Sequence, residues 1–249
     1  MIKMIAALCR RPGMTHAEYL AYVQHVHGAL ATEEPAGLRR YVQNHVFDAA
    51  FGTTAESAHV QPVARDSVTE LYWDSAQDMK ANFAHEHVRT KVGPDGANFS
   101  AKDLQLSLVA TEAEQPVAHP GPGRGAKVMH FLRAAEGLTL PAFFERWAQA
   151  HSCALENTPQ ASAALRRCVH HHQVPEFNPM LAYFGGQDQP IYEGVASLWF
   201  DDTTCLGAFR AYERALQAIN AEPGQTFYRP TPSFFVYAAE VPIYARAAL

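Results

Sequence analysis

The chain says nearly the same thing twice. Lys3–Leu30 (KMIAALCRRPGMTHAEYLAYVQHVHGAL) aligns with Lys127–Ala154 (KVMHFLRAAEGLTLPAFFERWAQAHSCA), pairing Lys3 with Lys127, Gly13 with Gly137, Thr15 with Thr139 and His27 with His151 at an offset of 124 residues. Leu38–His45 (LRRYVQNH) then aligns with Leu165–His172 (LRRCVHHH), and Val68–Asp74 with Val195–Asp201, at an offset of 127. A period near half the chain means two copies of one module, not a solenoid, which stacks several shorter repeats. Positions kept in both copies carry information that a single sequence otherwise withholds.

Each copy reads strand, helix, strand, strand, helix, strand. Apolar runs at Lys3–Cys9 and Lys127–Arg133 end in turns at Gly13 and Gly137. Thr15 and Thr139 are N-cap candidates, with Glu18 at the capping-box position and Pro141 suited to a first turn. The helices that follow carry a stripe at helical spacing: Leu20, Val23, His27, Leu30 in one copy, and Phe144, Trp147, His151, Ala154 in the other. Second strands are expected at Leu38–Phe47 and Leu165–Val174, and third strands at Asp66–Asp74 and Glu193–Asp201. Second helices fall near Ser75–Lys91 and Thr203–Ala221, and last strands near Leu104–Thr111 and Ser233–Val241. Asp48–Arg65 and Pro175–Ile191 read as long loops, often functional at such length. The Pro- and Gly-rich segment 114–125 reads as the linker between a module at 1–113 and one at 126–249.

The order βαββαβ gives an antiparallel sheet with both helices on one face, an α+β ferredoxin-like arrangement. The strands are apolar on both sides, so the free face needs cover too. Two copies supply it by packing sheet against sheet, as a pseudo-dimeric α/β barrel with four helices outside. Phe83, Phe209 and Tyr212 on those helices leave room for a homo-oligomer.

Hydrophobic residues make up 48% of the chain and the formal net charge is −5, with no basic stripe, which argues against a nucleic-acid partner. No apolar run approaches the roughly 20 residues of a membrane span. The N-terminal run is too short and too soon followed by Arg10-Arg11 to resemble a signal peptide. Cys9, Cys153, Cys168 and Cys205 form no framework, so reduced thiols and a cytoplasmic location are expected.

The first copy's RRPGMT, EY, VHGAL and LRRYVQNHV, followed by an acid at the start of the third strand, resemble the EthD family of dimeric α/β-barrel proteins, and the resemblance extends to both halves. The second copy departs from it: His151-Ser-Cys-Ala stands for His27-Gly-Ala-Leu, and Cys168, His170 and His171 stand for Tyr41, Gln43 and Asn44. Relatives on this fold include muconolactone isomerases, polyketide cyclases and dehydratases, cofactor-free quinone-forming monooxygenases and haem-degrading enzymes, so the resemblance implies fold more firmly than chemistry.

His27 and His151 are the strongest candidates for chemistry. An imidazole on an apolar stripe is desolvated and kept neutral, as a general base requires; the alternative is a core histidine satisfied by a carbonyl or carboxylate. Asp66 and Glu193 open the third strands, where each could orient an imidazole or simply cap the strand end. Tyr41, Gln43 and His45 share one face of the second strand, and Arg40, Asn44 and Val46 the other. The set matching the first is Cys168, His170 and His172; such residues line a cavity or a seam between the halves. Arg40 and Arg167 could neutralise an anionic substrate or form ion pairs. Thirteen histidines suggest metal, and His170 and His172 project the same way. However, His85-Glu-His87 has the wrong helical spacing, and no cysteine or acid is evident in ligand spacing, so no metal is expected. Nucleotide-cofactor and GxSxG motifs are absent from the sequence.

The reading that follows is a cofactor-independent enzyme moving a proton on a small apolar, aromatic or polyketide-like molecule: isomerase, dehydratase, decarboxylase or lyase chemistry. His27 would be the base, assisted by Asp66, Tyr41 or His45, and Arg40, Gln43, Asn44, His170, His172 and Trp147 would contact substrate. Two other classes fit the same residues: a non-catalytic small-molecule-binding accessory protein of an oxidative pathway, and a haem- or metal-dependent oxidoreductase. Phe144 and Trp147 stand where the first copy has Leu20 and Val23, so the second pocket should be smaller or closed. The small Gly28-Ala29 step should leave room in the first.

Overall fold

The computed structural model describes residues 1–50, 65–123, 125–181, 185–186, 188–201 and 206–247. Eight strands form it: β1 (Ile2–Leu8), β2 (Arg40–Ala50), β3 (Ser67–Trp73), β4 (Leu106–Gln115), β5 (Ala126–Ala134), β6 (Leu165–Gln173), β7 (Gly194–Phe200) and β8 (Tyr228–Ala245). They close in the order β1-β3-β2-β8-β5-β7-β6-β4. Each half contributes a four-stranded antiparallel sheet, and the halves join edge to edge twice, β2 to β8 and β4 to β6. A closed barrel leaves no sheet edge exposed.

The helices lie outside. In the first half they are α1 (His16–Tyr22), α2 (Gly28–Glu33), α3 (Ala76–Ala84) and α4 (Gly93–Asp95); in the second, α5 (Leu140–Glu156), α6 (Pro159–Ala164), α7 (Asn178–Leu181) and α8 (Leu206–Ala221). Thr15 caps α1 with the expected box: its hydroxyl accepts from the Glu18 amide, and its own amide donates to the Glu18 carboxylate at 2.8 Å. Thr139 makes no such bond, and Pro141 in the first turn of α5 removes one of the amides that a cap would satisfy.

Several expectations change. β4 extends to Gln115, so its last residues pair with β6 instead of starting a linker. Pro175–Leu181 is not an open loop but a 3-10 turn followed by α7. Most of the other expected loop, Asp48–Arg65, lies outside the described residues, as does Cys205. The helix expected at 75–91 breaks at His85, whose backbone turns extended, and resumes as a π-helical turn at Val88–Val92. Phe209 and Tyr212 are fully buried, and Phe83 packs on Trp73 at 5.2 Å, so these aromatics face inward and offer no self-association surface.

Strand alternation divides the core. Met4 and Ala6 face the first-half helices, whereas Ile5 and Ala7 point into the barrel with Val68, Phe131, Val195 and Phe234.

Candidate functional site

A cavity of about 340 Å³ lies between the first half's sheet and its helices. Met4, Ala6, Leu8, Leu38 and Leu71 form its sheet wall, and Val23, Ala31, Val88 and Phe99 its helical wall. The polar groups on it are few: His27, Tyr41, Thr69, Asn82, Arg89, Lys102 and the Ser100–Gln105 side. A mostly apolar space with a few convergent polar groups is the usual form of a small-molecule site.

Two irregular turns place its central pair. The first outer helix passes from α1 into a π-helical turn, Val23–His27, and on into α2. His27 ends that turn. The second helix resumes through its own π turn into α4, which carries Asp95. Single π turns inside helices often mark functional positions. Here they bring His27 Nδ1 to 2.8 Å from Asp95 Oδ2. The Tyr22 hydroxyl at 2.7 Å and the Asn98 amide at 2.9 Å donate to the other carboxylate oxygen. Burial works against the Asp95 charge, but the bonds from Asn98, Tyr22 and His27 outweigh it and hold the carboxyl below its ordinary range. Burial lowers the pKa of His27 despite the Asp95 bond and charge, which leaves the ring neutral. The Nδ1–H therefore donates to Asp95, and Nε2 keeps its lone pair. Phe99 packs on the ring at 4.6 Å.

Tyr41 lines the same cavity. Its oxygen accepts from Gln43 Nε2 at 2.8 Å, and burial pushes the phenol up to about 12 against hydrogen bonds from Gln43 and Thr69. Gln43 is a brace beneath the site: its amide also donates to the Val23 carbonyl at 2.7 Å, and its Oε1 pairs with His45 at 2.9 Å. Gln43 and His45 do not line the cavity. Gly28 works differently from expectation. A Cβ there would sit 3.1 Å from Ile243 and 3.2 Å from the Val23 carbonyl, so the missing side chain lets the helix close onto the sheet and does not open space beside it.

Asp66 does not join His27. It accepts from the Arg10 amide at 2.7 Å, the Arg10 guanidinium and His16. Glu193 does the same in the second half, holding the Ala134 amide at 2.8 Å and Arg133 at 3.1 Å. These matched acids fasten the end of the first strand in each copy. Asp95 was missed because Val92-Gly-Pro reads as a chain break; a proline opening a new turn with an acid beside it was the available signal.

Arg40 and Asn44 face the barrel interior, not the cavity. Arg40 pairs with Glu240 at 3.0 Å and Arg167 with Glu114 at 2.9 Å. Asn44 donates to Glu70 at 2.9 Å. Glu70 is wholly buried and accepts from both Lys3 and Lys127, the matched lysines of the two copies, and from Tyr72 at 2.9 Å. Glu112 and Glu240 complete the outer side of each lysine at 3.1 and 2.9 Å. Burial opposes the Glu70 charge, yet Lys127, Lys3 and His171 drive its carboxyl well below the usual range. This network holds the halves together along the barrel interior.

In the second half the corresponding space is packed. Trp147 lies flat on His170 with ring centroids 3.7 Å apart, Phe144 on His172 at 3.9 Å, and Phe143 beside Trp147 at 5.5 Å. His151 is buried, bonded through Nδ1 to the Tyr212 hydroxyl at 2.8 Å, and burial pushes its pKa down to about 4. Cys168, expected to stand apart from any ligand set, lies with its Sγ 4.0 Å from His151 Nδ1, and His151, Cys168 and His170 converge within 4.8 Å. The strand alternation that puts Cys168 and His170 on one face was the overlooked signal.

No helix among the described residues is long and apolar enough to cross a membrane. An anthrone oxidase-like protein is similar to the whole chain in fold, with a TM-score of 0.54 at 12% identity over 99% of this chain and 96% of that one. The chlorite dismutase of Candidatus Nitrospira defluvii in complex with imidazole is similar at a TM-score of 0.52 and 10% identity, over 95% and 90%. At such identities the likeness is one of fold. No curated protein matches the chain in sequence. The EthD domain model matches it twice, at residues 11–103 and 135–230, so the chain belongs to the EthD-domain family, carrying two copies closed into one barrel.

Proposed function

We propose that the chain is a small-molecule enzyme whose working site is the first-half cavity, with His27 as general base in cofactor-independent proton transfer. The observation that carries this is a neutral imidazole, oriented by a buried carboxylate, on the wall of an apolar cavity. Asp95 fixes the tautomer, so Nε2 accepts the substrate proton, and the imidazolium formed is stabilised by the Asp95 charge. The protonated Tyr41 phenol, its oxygen held by Gln43, donates to the oxygen that gains charge as the substrate loses its proton. The volume sits at the small end of the about 300–1,000 Å³ typical of ligand sites, which suits an aromatic or polyketide-like metabolite. Arg89 and Lys102 on the wall favour a substrate with a carboxylate or acidic hydroxyl. Isomerisation, dehydration and lyase reactions use this base and acid together, whereas decarboxylation would use only the acid, which protonates the carbanion left when CO2 departs.

The test is turnover of candidate acidic aromatic substrates by metal-free protein, wild type against His27→Ala. The expected loss is about 10²–10⁴-fold with folding intact. Equal turnover by the variant would remove His27 from the chemistry. Binding without turnover in the wild type would make the cavity that of a carrier.

A further inference from the structure

The packed second half contains a polar inclusion that packing alone does not explain. His151 on α5 and Cys168 and His170 on β6 are fully buried and bring one donor atom each within 4.8 Å of the others. The two imidazoles stand nearly perpendicular, 80° between planes with centroids 5.2 Å apart, so they do not stack on each other. His170 lies flat on Trp147, and neither of its ring nitrogens has a hydrogen-bond partner. A neutral imidazole always carries one N–H and one lone pair, and stranding either in an apolar core costs about 1–3 kcal/mol. A leucine would fill the space without that cost. His151 Nδ1 faces the Tyr212 hydroxyl at 2.8 Å and the Cys168 sulfur at 4.0 Å, and its Nε2, like both ring nitrogens of His170, is buried with no hydrogen-bond partner.

We propose that His151, Cys168 and His170 form a binding site for a single cuprous ion. Thiolate with imidazole selects soft ions, copper(I) or zinc. Charge and coordination number decide between them. Copper(I) with one thiolate is neutral overall, whereas zinc would leave a net positive charge in a core whose near neighbours are Trp147, Tyr212 and Phe209. Three donors satisfy copper(I), while structural zinc takes four. Binding replaces the Cys168 thiol proton with the metal and releases that proton to solvent, with no change of oxidation state. The ligands are contributed by the second half alone, so the site stands independently of the His27 reaction.

Expression in copper-supplemented medium, with Cys153→Ser removing an exposed thiol, tests it by metal content per purified chain. About one copper per chain is expected, with X-ray absorption showing one sulfur and two nitrogen neighbours. Cys168→Ala and, as a second variant that keeps bulk in the core, His170→Leu should each lower copper content about tenfold or more while circular dichroism stays native. Copper-free wild-type protein, unchanged copper in both variants, or zinc held in copper's place would overturn the proposal.

Discussion

The same helix-over-sheet space is built twice in this molecule and used in opposite ways. In the first copy Tyr19 reaches down to bond Ser67 at 2.8 Å, Val23 stays short, and a cavity remains beside His27. In the second, Phe143 and Trp147 stand at the matching positions and Gly194 replaces Ser67. A Cβ on Gly194 would come within 2.6 Å of the Trp147 ring, so the indole occupies the room that the glycine vacates. The exchange is concerted: a polar pair gives way to an aromatic slab over a bare backbone. Three exchanges thus convert a ligand space into a core, and the histidine at the same place in each copy changes from a cavity wall to a buried inclusion.

Exchanging residues between the copies tests that contrast. Val23→Trp should fill the cavity and abolish turnover as fully as loss of His27, about 10²–10⁴-fold, with secondary structure retained; activity near wild type would place the site elsewhere. Glu70→Ser, which copies Ser197, strips two buried lysines of their shared carboxylate and should cost about 3–5 kcal/mol in urea unfolding. Glu70 has a folded pKa well below 4.5, so its contribution is present above that value and lost as pH falls through the folded one. The stability difference between wild type and variant should therefore shrink in acid. Trp147→Val opens a void over Gly194 and should destabilise by about 2–4 kcal/mol; a negligible change would mean that the second core is not held by the indole. The pH dependence of kcat/KM is a gentler probe. Neutral His27 is the active form and burial lowers its pKa, so activity should be flat near pH 7 and fall about tenfold per unit only below a midpoint under 6.5. A midpoint above 6.5 would mean that the Asp95 charge outweighs burial. Ser67→Ala should cost least, about 1 kcal/mol, by stranding the Tyr19 hydroxyl.

The fold was legible because the repeat reported it. Strands and helices recur in the same order at offsets of 124 and 127 residues, and apolar strands with no polar face require the second sheet. Within the site, His27 was legible from its helical stripe; alternation grouped Tyr41 with Gln43 and His45 but did not say which face of the strand meets the helices. Asp95 was not legible. It reaches His27 through two π turns, which break the periodicity that made the stripe readable, and its partner lies 68 positions away. Asp66 and Glu193 misled because recurrence marks any shared need, and fastening a strand end is needed in both copies. Arg40 and Asn44 belong to a network that reaches Lys127 and Glu240 in the other half, a long-range pairing that local pattern does not carry.

That network has a further meaning. In a pair of identical subunits about a twofold axis, every contact is made twice. Two glutamates at the Glu70 position would then face two lysines, or two serines would leave each lysine with only its outer carboxylate, the Glu112 or Glu240 position. Here a single carboxylate on one side answers a lysine from each. A covalently joined chain fixes that unequal arrangement without any need to disfavour like pairs, which separate subunits would require. Fusion thus converts symmetry from a constraint into a choice, and the halves became free to part ways once their join no longer required them to be the same.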